Sequence, residues 1–184
     1  MSAVMSPDAQ LAEEERIVAE LEQLGVTYLS RREAQSATET RPPEKLLADL
    51  SRQPSARVRE AIIALLLAHP EYAAAVPVAL NQLTPAEQTT LRVFYTAAVL
   101  LQQEYAEQLH PYLVARWQPL PDLFSTELGL PHRGSHRERL TRLDHTHRRL
   151  SGAAVNWAGT YENVVRHLVR RWELEYRGAT VRLK

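Results

Sequence analysis

The sequence predicts an all-α fold, an irregular bundle of six to seven helices, and three observations carry that prediction. Helix punctuation recurs along the chain: Ser6-Pro7-Asp8, Thr84-Pro85-Ala86-Glu87, and Ser135 with Glu138 read as N-caps, while Gly25, Gly129 and Gly152 read as stops. Two segments, residues 61–68 and 91–101, are apolar on most sides, the pattern of a helix buried between others. The strict apolar–polar alternation of a half-buried strand is nearly absent.

The first helix follows Ser6, with proline at its first position and Asp8 in its first turn. Leu11, Ile17, Val18, Leu21 and Leu24 keep helical spacing until Gly25, and Glu13-Glu14-Glu15 reads as a solvated face. Residues 26–29 permit a short extended piece, and residues 30–41 are polar and unpatterned, as in a linker. Pro42-Pro43 opens a short helix with Leu46, Leu47 and Leu50 on one side. Ser55 starts the next, which His69-Pro70 ends. Pro70 can open a further helix, and Pro77 should kink or split it, since its ring clashes with the preceding turn.

The capping box at Thr84 opens a long helix expected to reach about Gln108 and to stop at His110-Pro111. Residues 112–132 hold Pro119, Pro121 and Pro131, yet Leu120, Leu123, Phe124, Leu128 and Leu130 make them too apolar for a solvated linker. They should pack on the core as a loop with one short helix over residues 122–128. Ser135 opens an arginine-rich helix that Gly152 ends. The last helix should run over about residues 156–176, before a frayed tail. The chain therefore reads as one domain, residues 1–184: an N-terminal helix (1–30), a linker (31–41), central buried helices (42–130) and an arginine-rich helical hairpin (131–184).

Composition narrows the function. A chain of 184 residues with 45% hydrophobic and 24% charged residues can build its own core. It has no cysteine, which excludes disulfides and thiolate chemistry. The start MSAVMSPDAQ lacks a basic and an apolar signal region, and no apolar stretch approaches the roughly 20 residues of a membrane span, so a cytoplasmic location is expected. The net charge of zero hides an asymmetry: residues 1–50 carry five basic and ten acidic groups, and residues 131–184 carry twelve and five. All basic residues but Lys45 and Lys184 are arginine, whose planar fork pairs bidentately with carboxylate or phosphate. Either the two ends satisfy each other, within one chain or between copies, or the basic end faces an anionic partner. Interleaving of the arginines with Glu138, Asp144, Glu162, Glu173 and Glu175 favours the former.

The segment PEKLLADLSRQPSARVREAIIALLLAHPE, residues 43–71, resembles one unit of a HEAT-type α-solenoid, a short helix, a turn and a second helix. No second copy recurs at a fixed period, and a solenoid needs at least about three repeats, so the bundle remains the expected architecture. The resemblance implies a protein partner rather than a reaction.

The stretch SHRERLTRLDHTHRRLSG, residues 135–152, offers three chemistries. On a helix advancing about 100° per residue, Leu140, Leu143, His147 and Leu150 share one arc, and Glu138, Arg142, His145 and Arg149 the opposite one. His145 and His147 therefore diverge, and with His132 and His136 in a loop entry no metal site is expected. All-helical HEPN ribonucleases carry an Arg, four to six spacers and a His, which Arg142–His147 and Arg139–His145 match. Composition alone predicts about two such matches by chance, and two are present. The last helix repeats the amphipathic design, with Trp157, Tyr161, Val164, Val165, Leu168 and Trp172 inward and Arg166 and Arg170 outward.

Nucleotide-binding glycine loops, HExxH and the GxSxG elbow are missing. No catalytic residue, metal or cofactor is therefore assigned. The expectation is a non-catalytic helical interaction protein: an adaptor, an assembly subunit or a partner in a bacterial toxin–antitoxin or defence complex. Arg142, Arg149, Arg166 and Arg170 would contact another protein. The alternatives are a HEPN-type ribonuclease and nucleic-acid binding through the basic third; a homo-oligomer is compatible, a membrane role is not.

Overall fold

The computed structural model describes residues 6–26, 40–152 and 157–182. Among these, every regular element is helical: α1 (Pro7–Gln23), α2 (Pro43–Ser51), α3 (Ala56–Ala68), a 3-10 segment (Pro70–Ala75), α4 (Val76–Leu80), α5 (Pro85–Glu104), α6 (Ala106–Leu113), α7 (His136–Ser151) and α8 (Trp157–Arg182). The all-α expectation stands, with eight α-helices described rather than six or seven. Residues 27–39, the expected extended piece and most of the linker, lie outside the described residues. No single helix among the described residues is long and apolar enough to cross a membrane.

The centre is α3 against α5, the two segments whose apolar character runs all round; residues 61–68 and 93–101 are buried without exception. Removing that much apolar surface from water is the main force holding the bundle. Helix α7 packs on α5, and α8 spans α3, α5 and α7; α2 and α4 close the other side, and α1 rests on α3. In α1 Ile17, Glu20 and Leu21 are buried, while Leu11 is 62% exposed. Its apolar periodicity begins at Leu11, ahead of the residues the core covers.

Local chemistry sets most boundaries. Thr84–Glu87 and Ser135–Glu138 both form complete capping boxes. Pro77 splits its segment, a 3-10 stretch giving way to α4. Two boundaries differ from expectation. The long helix breaks at Tyr105, and Pro111 sits inside α6 instead of ending it. The turn at Tyr105 re-aims the chain so that Leu109 and Leu113 reach the core, and α6 is so short that Pro111 forfeits only one hydrogen bond of the ladder. Helix α8 also continues to Arg182; its Arg171–Glu175 ion pair, 2.7 Å, supports the extra turns.

The proline-rich loop packs inward through Leu120, Phe124, Leu128 and Leu130, as its composition demands, and Leu123 stays exposed. Where a short helix was expected there is a single turn. Leu130 N–H donates to Ser125 C=O and Gly129 N–H to Thr126 C=O, a Schellman closure that places Gly129 at φ 68°, a region open to glycine. Gln102 clamps the loop from α5, accepting from Leu120 N–H at 2.7 Å and donating to Gln118 C=O.

The acidic end knots around one guanidinium. Arg41 reaches Glu13 at 2.7 Å, Asp49 at 2.8 Å and Glu20 at 3.2 Å, and its backbone N–H donates to Glu20 at 2.6 Å. Lys45 and Arg52 also reach Asp49. Burial lifts the Glu20 carboxyl above its ordinary value despite Arg41. Arg41 closes the expected linker and Glu13 belongs to an expected solvated face; both are half-buried in the seam between α1 and α2.

Candidate functional site

Helix α7 begins with its cap and turns its apolar side into the bundle. Leu140, Leu143 and His147 are buried; Leu150, expected with them, is 49% exposed. His147 Nδ1 is 2.6 Å from the Tyr161 hydroxyl. Its ring stacks on Trp157 with centroids 3.9 Å apart, and Phe94 meets it edge-on. Burial first, and the Arg59 charge second, push its pKa down to about 4, with Asp144 working the other way. The imidazole is therefore neutral near pH 7. Asp144 joins the hairpin: its carboxylate accepts from the Trp157 backbone N–H at 2.9 Å and pairs with Arg148 at 2.8 Å.

Arg139, one turn from the start of α7, is buried as well. It donates to Asp122 at 2.8 Å and to Ser125 Oγ at 2.7 Å, pinning the proline-rich loop. Burial would raise the Asp122 carboxyl, but hydrogen bonds from Ser125 and Arg139 more than offset it and hold it below its usual value. Each spaced Arg–His pair is thus divided: Arg142 is outside and His147 inside, Arg139 inside and His145 outside. Neither pair presents both groups at one accessible surface. Among the described residues no group of three or more His, Cys, Asp or Glu is placed to hold a metal.

The four arginines singled out from the sequence are all exposed. Arg142 and Arg149, seven residues apart, mark the outward ridge of α7. Arg166 and Arg170 border a groove of about 330 Å³ between α6 and α8, lined also by Tyr105, Gln108, Glu162, Val165, Val169 and Glu173. The structure thus gathers two of the four into one concavity and leaves two on a neighbouring helix. Arg166 donates to Asn163 at 3.0 Å.

The groove exists because α8 carries two apolar stripes. Trp157, Tyr161, Val164 and Leu168 face the core. A second line, Val165, Val169, Trp172 and Tyr176, runs along its shoulder; Val165 is buried, Val169 and Trp172 are half-buried, and Tyr176 is 72% exposed. Tyr112 of α6 contacts Trp172 with ring centroids 5.4 Å apart. Tyr105, Gln108 and Val169 were not picked out from the sequence. The spacing of four, three and four on α8 was a visible signal for Val169. Nothing local announced Tyr105 and Gln108, because the break that aims them is itself a tertiary effect.

The described ion pairs also decide how the charged ends are used. Arg41 takes carboxylates from α1 and α2, whereas Asp144, Glu162 and Glu175 serve Arg148, Arg137 and Arg171 within the last third. Each end is balanced mostly at home, and the surplus of the basic end is displayed. No protein-family model, curated protein or solved structure matches the chain, so the site stands on its geometry alone.

Proposed function

We propose that this chain is a non-catalytic helical interaction protein, an adaptor or assembly subunit, whose docking surface is the outer side of α7 and α8. The observation that carries the reading is the pairing of exposed arginines with an open, apolar-floored groove: Arg166 and Arg170 stand beside Val165 and Val169. An apolar floor supplies non-directional attraction, and a rim of mixed charge supplies register and selectivity. Glu162 and Glu173 on that rim favour a partner segment carrying both signs over a plain polyanion, whose phosphates they would repel. The resemblance of residues 43–71 to a helical-repeat unit supports the same class of role.

His147 is enclosed by aromatic rings, and Arg139 is engaged by Asp122 and Ser125.

Quantitative capture from native cell extract tests the proposal. Wild-type bait should retain a stoichiometric partner, and the Arg142→Glu, Arg166→Glu double variant should lose it while keeping the wild-type circular dichroism spectrum. A partner retained unchanged by that variant overturns the assignment of these arginines.

A further inference from the structure

The groove names its own occupant. Val165, Val169, Trp172 and Tyr176 recur every three or four residues, the repeat that seats one helix against another. Helix α6 flanks this seam as far as Trp172, where Tyr112 meets it, and leaves Tyr176 uncovered. From Arg170 to Gly178 every residue except Trp172 is exposed, so the end of α8 runs on past the body that supports it. A helix end that short is marginal in water without packing, and Leu174 and Tyr176 stand 57% and 72% exposed on it.

The charges beside the seam are self-complementary. Arg166 and Glu173 each follow a seam residue by one position, Val165 and Trp172, so they lie on the same flank one seven-residue repeat apart, with opposite signs. In a two-fold pair of antiparallel helices a flank faces the same flank of its mate, and every contact occurs twice. Val165, buried in its own chain, closes the inner end of the seam; setting Val169 against Trp172 of the other copy brings Arg166 of each helix alongside Glu173 of the other. A parallel pairing would face this flank with the opposite one and leave Arg166 and Glu173 without each other.

We infer that the α8 seam docks a second copy of this chain, as an antiparallel two-fold dimer with reciprocal Arg166–Glu173 pairs across it. This deepens the docking reading by giving the groove its partner. Arg142 and Arg149, on the ridge of α7, remain available for a different protein.

Sedimentation equilibrium of the full chain from low to high micromolar concentration is the test. Wild type should pass reversibly from monomer to dimer. Arg166→Glu, which sets four acids on the flank, should weaken dimerisation roughly tenfold, as should Glu173→Arg. Mixing these two variants should regenerate a heterodimer, and the Arg166→Glu, Glu173→Arg double variant should recover wild-type affinity. All the changed side chains are exposed, so an unchanged circular dichroism spectrum is expected throughout. A dimer indifferent to these exchanges places the interface elsewhere and overturns the proposal. So does a monomer at every concentration; if that monomer still captures an Arg142-dependent partner, the interaction reading survives and only self-docking falls.

Discussion

The two charged ends of this molecule are built from the same residue types and put them to opposite uses. At the acidic end Arg41 is turned inward, its side chain 18% exposed, with carboxylates of α1 and α2 gathered around it. At the basic end Arg142, Arg149, Arg166 and Arg170 are turned outward. Net charge says nothing of this difference; direction decides it. An inward guanidinium loses hydration and must recover it from fixed partners, so it binds elements together. An outward one keeps its water and can exchange it for a partner's acid at little cost.

The comparison is broken most severely at Arg41. Arg41→Ala leaves Glu20, 2% exposed, beside Glu13 and Asp49 with no buried cation between them. Removing one member of a buried ion network costs about 3–5 kcal/mol. The expected result is a large fall in the urea midpoint at neutral pH. A change under about 1 kcal/mol would mean that Lys45 and Arg52 suffice for the acids of this seam.

The histidine between α7 and α8 gives the next largest effect and extends the comparison to a group that can change its charge. His147 has a folded pKa of about 4 against an ordinary value of 6.5. Its depressed value means that the unfolded chain takes up a proton first as the pH falls, which favours unfolding. The stability due to neutral His147 is therefore complete above about pH 7 and declines as pH falls from 6.5 toward 4. Between about pH 7.5 and about pH 5 the loss should be roughly 2 kcal/mol. Urea titrations at the two pH values should show it, and His147→Phe, which keeps a ring against Trp157, should flatten that part of the profile. An equal slope in the variant would assign the acid sensitivity to carboxylates instead.

What was legible in the sequence follows the same division between local and distant causes. Caps act over three or four residues, so Thr84, Ser135 and Gly152 announce their helices. Burial of α3 and α5 is written in their composition, and the inward position of His147 in its helical phase. Arg41 and Arg139 were not legible as buried groups. Their partners lie up to 28 and 17 residues away, at Glu13 and Asp122, and no periodicity links them. The break at Tyr105 and the length of α8 failed for a related reason: both depend on what the neighbouring helices leave uncovered. In the candidate site, Arg166 and Arg170 could be read as outward from the wheel, but the groove between them and α6 could not.

The smallest effect is the sharpest test of the contrast. Arg142 and Arg149 lie on the exposed ridge of α7, clear of the groove and of the buried face. Replacing Arg149 by Glu puts acid in the last turn of α7, where the dipole disfavours it by a few tenths of a kcal/mol. Replacing Arg142 places Glu four residues after Glu138, a like-charge spacing of similar cost. Together these should lower stability by under about 1 kcal/mol, well below the Arg41 effect, although the charge changes by about four units rather than one. Partner capture should nevertheless be lost, since complementary charge sets the encounter and its selectivity. Stability and binding would then separate between the two ends: a single inward arginine governs folding, and a pair of outward ones governs association. Collapse of the fold in the Arg142→Glu, Arg149→Glu variant would show that the ridge carries structural weight and would erase the distinction.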